Sequence, residues 1–172
     1  MQRTWVKWFF SVILAMASIV VVIDYHATAI GLLCSESNPC VDVEISGTDM
    51  QFNQEAAANV NLLRELANKY SPDGGSFIAT PLWPGAYALL ERKSPMWDIY
   101  PLSHRSEAFE QLEIERIKVA KPGFALIFDY ALDGDDKRRF KNTHPLIHQF
   151  ILGNFEEIHE SANPAYHIHK AK

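Results

Sequence analysis

The chain opens on an apolar block. Residues Trp8 to Ile23 (WFFSVILAMASIVVVI) carry no charge and are closed by Lys7 before and Asp24 after. A helix over this run spans roughly 24 Å, against a bilayer hydrocarbon core of about 30 Å. Trp5 and Val6 lengthen it on one side and Ala27 to Leu33 (ATAIGLL) on the other. The pattern predicts a hydrophobic helix within residues 1–33. It is either a retained transmembrane signal-anchor or a signal segment cleaved at a small-x-small site such as Ala27-Thr28-Ala29. Arg3 and Lys7 precede the block and Asp24 follows it, so the positive-inside rule leaves the N-terminus in the cytoplasm. Residues 34–172 are then expected outside it, in the periplasm or another extracytoplasmic space. The chain would be a single-pass protein of the inner membrane, or secreted after cleavage.

After Cys40 the periodicity changes. Val41, Val43 and Ile45 alternate with Asp42 and Glu44, the period of two of a half-buried strand over Cys40 to Ser46. Gly47-Thr48-Asp49 reads as a turn. From Gln54 to Tyr70 the period lengthens: Ala56, Val60, Leu63, Ala67 and Tyr70 fall on one helical stripe, and Ser71-Pro72-Asp73-Gly74-Gly75 stops it. Ser76 to Thr80 is a short apolar run of the kind that fills a buried strand, ended by Pro81. Pro84 suits the first turn of a short helix over Ala86 to Leu90. Ile99-Tyr100 reads as a brief strand. Ser106 is a natural N-cap for a helix over Glu107 to Ala120, which Lys121-Pro122-Gly123 ends. Phe124 to Tyr130 (FALIFDY) is the strongest strand signal, and the loop LDGDDKRRFKN after it is solvated. Pro145 begins a helix reaching about Asn154, and Ala165 to Lys172 (AYHIHKAK) alternates as an edge strand. The order of elements predicts an α/β fold: one N-terminal hydrophobic helix, then a small layered α/β domain with a mostly parallel sheet.

Composition narrows the function classes. Apolar residues make up 48% and charged residues 22%, ordinary for a globular chain, and about 140 residues beyond the first segment suffice for one core. The net charge of −5 argues against a nucleic-acid partner, which would need a basic face. Two cysteines, Cys34 and Cys40, are separated by five residues that include Asn38-Pro39, a spacing open to a disulfide in an oxidising compartment or to two free thiols. No GxGxxG, GxxxxGK[ST], GxSxG or HExxH occurs, and no cofactor is expected.

The first candidate site is TPLWPGAY, at the end of a strand and the start of a helix, where open α/β sheets place ligands. Thr80 lies at its start. Trp83 and Tyr87 have rings suited to stacking on a sugar, and Arg92 has the fork to pair with a phosphate; all of them also suit plain packing. Asp129, at the C-terminal end of the strongest strand, is a further ligand-binding candidate or a cap. His144 and His148 are four apart on a helix, and His167 and His169 share a strand face, which makes the four weak metal-ligand candidates. Surface or cap roles suit them better, and no catalytic residue stands out. Asp133-Gly134-Asp135-Asp136 lacks the spacing of a calcium loop.

The succession PLWPGAYALLERKSPMWDIYPL, AKPGFALIFDYALDG and RFKNTHPLIHQFI resembles the C-terminal soluble region of multi-spanning membrane glycosyltransferases. These are the protein mannosyltransferase-like and aminoarabinose-transferase-like enzymes, which draw sugars from polyprenyl-phosphate donors. The resemblance covers roughly residues 41–172. It implies a non-catalytic accessory or acceptor-binding module, or a remnant, in cell-envelope glycan assembly. A membrane, a multi-span transferase, or a glycan or lipid-linked sugar would be its partner. The catalytic acid of that superfamily lies in a helical bundle with no counterpart here, so no catalytic residue carries over. The alternatives are an independent periplasmic binding protein for a sugar or small anion, and a histidine-based metal-dependent enzyme.

Overall fold

The protein's computed structural model describes residues 2–33, 39–159, 161 and 163–172, with side chains over 8–23 of the first helix. The chain divides into two compact units, Met1–Ala58 and Asn59–Lys172.

The first unit begins with α1, Gln2–Leu33. Among the described residues, no helix is long and apolar enough to cross a membrane. This overturns the expected transmembrane helix and signal-anchor. The uncharged run between Lys7 and Asp24 falls several ångströms short of a hydrocarbon core. The cleavage motif at 27–29 lies where side chains are outside the description. Next come β1 (Cys40–Ile45) and β2 (Thr48–Asn53), an antiparallel hairpin in which Val43 faces Met50. Its two turn residues, Ser46 and Gly47, have φ of 50° and 79°, the left-handed pair whose twist suits a two-residue hairpin loop. The turn foreseen at residues 47–49 thus falls one residue earlier and leads into a second strand. Cys40 is disulfide-bonded; Cys34 lies outside the described residues. At the end of β2 the Asn53 side chain accepts a hydrogen bond from the Ala56 N–H at 2.8 Å and starts α2 (Gln54–Tyr70).

The second unit is built on a four-stranded sheet in the order β3-β4-β6-β5. Its strands are β3 (Ile78–Thr80), β4 (Phe124–Phe128), β5 (Phe155–Ile158) and β6 (Tyr166–Ala171). Between β3 and β4 lie α3 (Gly85–Leu89) and α4 (Glu107–Ala120); α5 (Phe140–Thr143) and α6 (Pro145–Asn154) follow β4. Of the hydrogen-bonded pairs only β3–β4 is parallel; β4–β6 and β5–β6 are antiparallel. The sheet is therefore mostly antiparallel, which corrects the mostly parallel α/β layer expected from the element order. The physical reason is the last connection. A parallel pair needs a crossover element; α3 and α4 carry the chain from β3 to an adjacent parallel β4, whereas α5 and α6 carry it to a β5 that runs parallel to β4 but one strand position away. After α6 it makes the short strand β5 and returns as β6 into the gap beside β4. The final strand is thus interior, not an edge.

Strand alternation divides the core between the two sheet faces. Ala79, Phe124, Leu126 and Ile168 point to one face and pack on Leu63, Leu66 and Ala67 of α2 and on Ala86 and Tyr87 of α3. Phe77 stacks between Tyr87 and Phe124, with ring centroids 4.9 and 5.1 Å away. Ile78, Ala125 and Ile127 point to the other face, covered by Ile114 and Ile117 of α4, Phe140 of α5, and Ile147 and Ile151 of α6.

Two carboxylates on α4 are buried among these apolar groups. Glu113 accepts from the N–H groups of Trp97 and Asp98 and pairs with Arg116. Glu110 accepts from the N–H groups of Leu146 and Ile147 at 2.8 and 3.1 Å, capping the α6 N-terminus. A charge at this depth is tolerated because fixed donors replace the lost water.

Candidate functional site

The alternation of β6 carries Ile168 into the α2 side of the core and turns His167 and His169 to the opposite face. Across the ladders, Ile127 of β4 faces His167, and Glu157 of β5 faces His169. Two residues past Ile127, Asp129 leaves the end of β4, its N–H held by the Ala165 carbonyl at 2.8 Å. On α6, Ile147 and Ile151 enter the core, which leaves His148 and Leu152 one position further round the helix. Lys141 comes from α5. These side chains enclose a cleft of about 270 Å³ lined by Ile127, Asp129, Lys141, His148, Leu152, Glu157, His167 and His169.

The polar groups of the cleft are arranged unequally. Asp129 is pinned: Arg139 Nη1 lies 3.1 Å from its Oδ1 and 2.7 Å from its backbone oxygen, with Lys141 Nζ 3.9 Å from Oδ2. His167 Nδ1 lies 2.9 Å from Glu157 Oε1, and this hydrogen bond is the main reason the Glu157 carboxyl is held below its ordinary value. An ionised carboxylate can only accept, so Nδ1 carries the proton and a neutral His167 keeps Nε2 as an acceptor. His169 is 3% exposed, and neither its ring nor that of His148 makes a hydrogen bond among the described residues. Burial lowers the pKa of both rings, more than Glu157 opposes it at His169 or Asp129 at His148. Both are neutral imidazoles at pH 7. The ring nitrogens of this almost wholly buried His169 make no bond within the described protein and are not sealed from solvent, so the cleft leaves them for a ligand.

Among the described residues, no group of three or more His, Cys, Asp and Glu side chains is placed to hold a metal ion. His144 stands apart from the cleft. It is fully buried against Phe140, with Nδ1 3.0 Å from Thr143 Oγ1 and Nε2 3.7 Å from Asp98 Oδ2 without a hydrogen bond. Burial lowers its pKa too, against the opposing pull of Asp98 and Glu110.

The residues read as a crevice from Thr80 to Arg92 are dispersed. Tyr87 is buried, and its hydroxyl accepts from the Ala79 N–H at 3.0 Å. Arg92 donates to the carbonyls of Ser71 and Gly75 at 2.8 and 3.0 Å. Thr80 is fully buried, its hydroxyl without a partner. Trp83 sits edge-on to Tyr166 at 5.7 Å and borders a second, apolar cleft with Val60, Leu63, Leu82 and Leu89. Asp129 belongs to the histidine cleft and not to this group. Lys141 and Glu157 were invisible as site residues. Lys141 lay in a segment read as a solvated loop, and Glu157 in a four-residue strand too short to show a period.

No family model, no curated protein and no solved structure matches this chain.

Proposed function

We propose that the second unit is a binding domain for a small, neutral, hydroxyl-rich ligand of monosaccharide size, held in the histidine cleft. The observation that carries this reading is His169: almost wholly buried, neutral, and open to the cleft with no protein partner. A neutral imidazole offers one donor and one acceptor, as a hydroxyl does. Around it the cleft sets acceptors at Asp129 and Glu157, a donor at Lys141, and an apolar floor of Ile127 and Leu152. Two carboxylates against one ammonium give no surplus positive charge, which disfavours a phosphate or other anion. The volume, just under the roughly 300–1,000 Å³ of drug-sized sites, suits one sugar ring. The acceptor-binding role implied by the glycosyltransferase resemblance would need a sugar site of this kind.

Titration with a panel of aldoses and their methyl glycosides, followed by calorimetry and by imidazole NMR shifts, tests the reading. Saturable binding that perturbs His169 and His148 and weakens at least tenfold in His169→Leu is expected. Binding of inorganic phosphate in preference to every sugar, or no binding at all, overturns it.

A further inference from the structure

The cleft holds more than a binding site needs. A ligand that is only held requires hydrogen-bond partners, and His148 and His169 already provide them. In addition, the cleft contains an imidazole backed by a carboxylate and an ammonium group in reach of the same space. His167 Nδ1–H donates a hydrogen bond to Glu157 at 2.9 Å, which orients the ring and leaves Nε2 as its acceptor; an imidazolium formed there would be stabilised by the same carboxylate. Lys141 is a proton donor whose tie to Asp129 is loose at 3.9 Å, because Arg139 holds that carboxylate more closely at 3.1 Å. His167 and Lys141 belong to different elements, β6 and α5, and meet only at this cleft.

An oriented base and an acid around a bound sugar suffice for ring opening, which consumes nothing else. We propose that the cleft catalyses the opening and reclosure of an aldose ring, interconverting its anomers. The inference rests on the sugar-binding reading above. His167 Nε2 takes the proton from the anomeric hydroxyl while the Lys141 ammonium protonates the ring oxygen. The bond between anomeric carbon and ring oxygen breaks, and the pair that formed it stays on the oxygen. The product is the open-chain aldehyde. Rotation about the adjacent carbon–carbon bond presents the other carbonyl face. In reclosure Lys141 takes the proton back from the attacking hydroxyl and the imidazolium returns its own to the new anomeric oxygen. Every atom and electron is retained, and no cofactor or co-reactant takes part. His148 and His169 orient the remaining hydroxyls.

Polarimetry of freshly dissolved aldoses with the whole chain, in a buffer without imidazole, tests the proposal. Methyl glycosides serve as ligands that bind but cannot open. Positioned acid–base catalysis contributes about 10²–10⁴-fold, so mutarotation at least about 100-fold faster than with equimolar free imidazole is expected for the sugars that bind. His167→Gln and Lys141→Met, at half-exposed positions that the core does not depend on, should each lose most of that acceleration. Methyl-glycoside affinity is measured for each variant and the acceleration is compared at saturating sugar, so that weaker binding is not read as lost catalysis. Aldose binding without acceleration, or acceleration untouched by either substitution, overturns the ring-opening inference and leaves the binding reading standing. Absence of binding to any aldose or methyl glycoside removes both.

Discussion

Glu157 and His167 meet across the β5–β6 ladder at 2.9 Å, on a strand pair in which Glu157 stands directly opposite His169. The carboxylate thus reaches diagonally past its ladder partner, which leaves the His169 ring without a bond and open to the cleft. The hydrogen bond from His167 is the largest cause of the lowered Glu157 pKa. His167→Gln should therefore move the Glu157 titration upward toward the ordinary carboxylate value. Carbon-detected NMR of the side-chain carboxyl over pH 3–6 reads this directly. A titration that stays in place would show that the bond contributes little in solution.

Acidification should destabilise the fold before its carboxylates titrate. His144, His148 and His169 are each held below the ordinary 6.5, foremost by burial. The unfolded chain takes up protons near pH 6.5 that the folded chain refuses. The stability linked to these rings is complete above about pH 6.5 and declines as pH falls below it, toward the depressed folded values. Calorimetry should show the melting temperature falling between pH 7 and pH 5. The fall should be smaller in His169→Gln, which cannot bind that proton.

Gly123→Ala should be among the most damaging small substitutions. A Cβ at Gly123 would lie 2.0 Å from the Tyr70 carbonyl oxygen and 2.3 Å from Ser71 Oγ. The backbone at Gly123 cannot retreat, because its N–H donates to Ser76 and its carbonyl accepts from Ala171. Overpacking against such a fixed surface costs about 1–3 kcal/mol, and here the upper part of that range or beyond is expected. Urea unfolding measures it.

Tyr87→Phe should cost stability and leave sugar binding intact. The hydroxyl is the partner of the buried Ala79 N–H on β3, and its loss leaves that donor unpaired at about 1–2 kcal/mol. An equal loss of binding would instead give Tyr87 a place in the ligand site.

Glu110→Ala removes the acceptor for the buried Ile147 N–H and the half-buried Leu146 N–H at the start of α6. About 2–3 kcal/mol of destabilisation follows from the orphaned donors, readable in urea unfolding. Since α6 carries His148, weakened ligand affinity should accompany it. Glu110→Gln should recover only part of the loss, because a neutral amide oxygen accepts less strongly than a carboxylate.

Periodic patterns led to the local structure. The stripe from Gln54 to Tyr70, the Ser106 cap of a helix to Ala120 and Pro145 opening a helix to Asn154 all became helices with those bounds. Other features were hidden. Glu110 falls in the first turn of α4, where the helix dipole favours a carboxylate, and Glu113 in the next, yet both are buried and hold other segments in place. Nothing in a single chain pattern separates a solvated glutamate from one whose donors arrive from residues 97–98 and 146–147. Likewise FEEI gave no strand signal, and without β5 the final alternating segment had to be read as an edge.

The sequence by itself determined the helices over 54–70, 107–120 and 145–154 and, through the period of two around Ile168, that His167 and His169 share a face. Those properties depend on neighbours within a few residues. The pattern missed β2 and β5, and it placed a strand at Ile99-Tyr100 where there is none. Tertiary structure alone decided that β6 enters between β4 and β5, so the sheet is mostly antiparallel, and that Asp129, Lys141, His148 and Glu157 close around those rings. Strand order is settled by which edge offers free backbone groups and which faces remain to be buried once every element is present. That balance belongs to the whole unit and to no segment of its sequence.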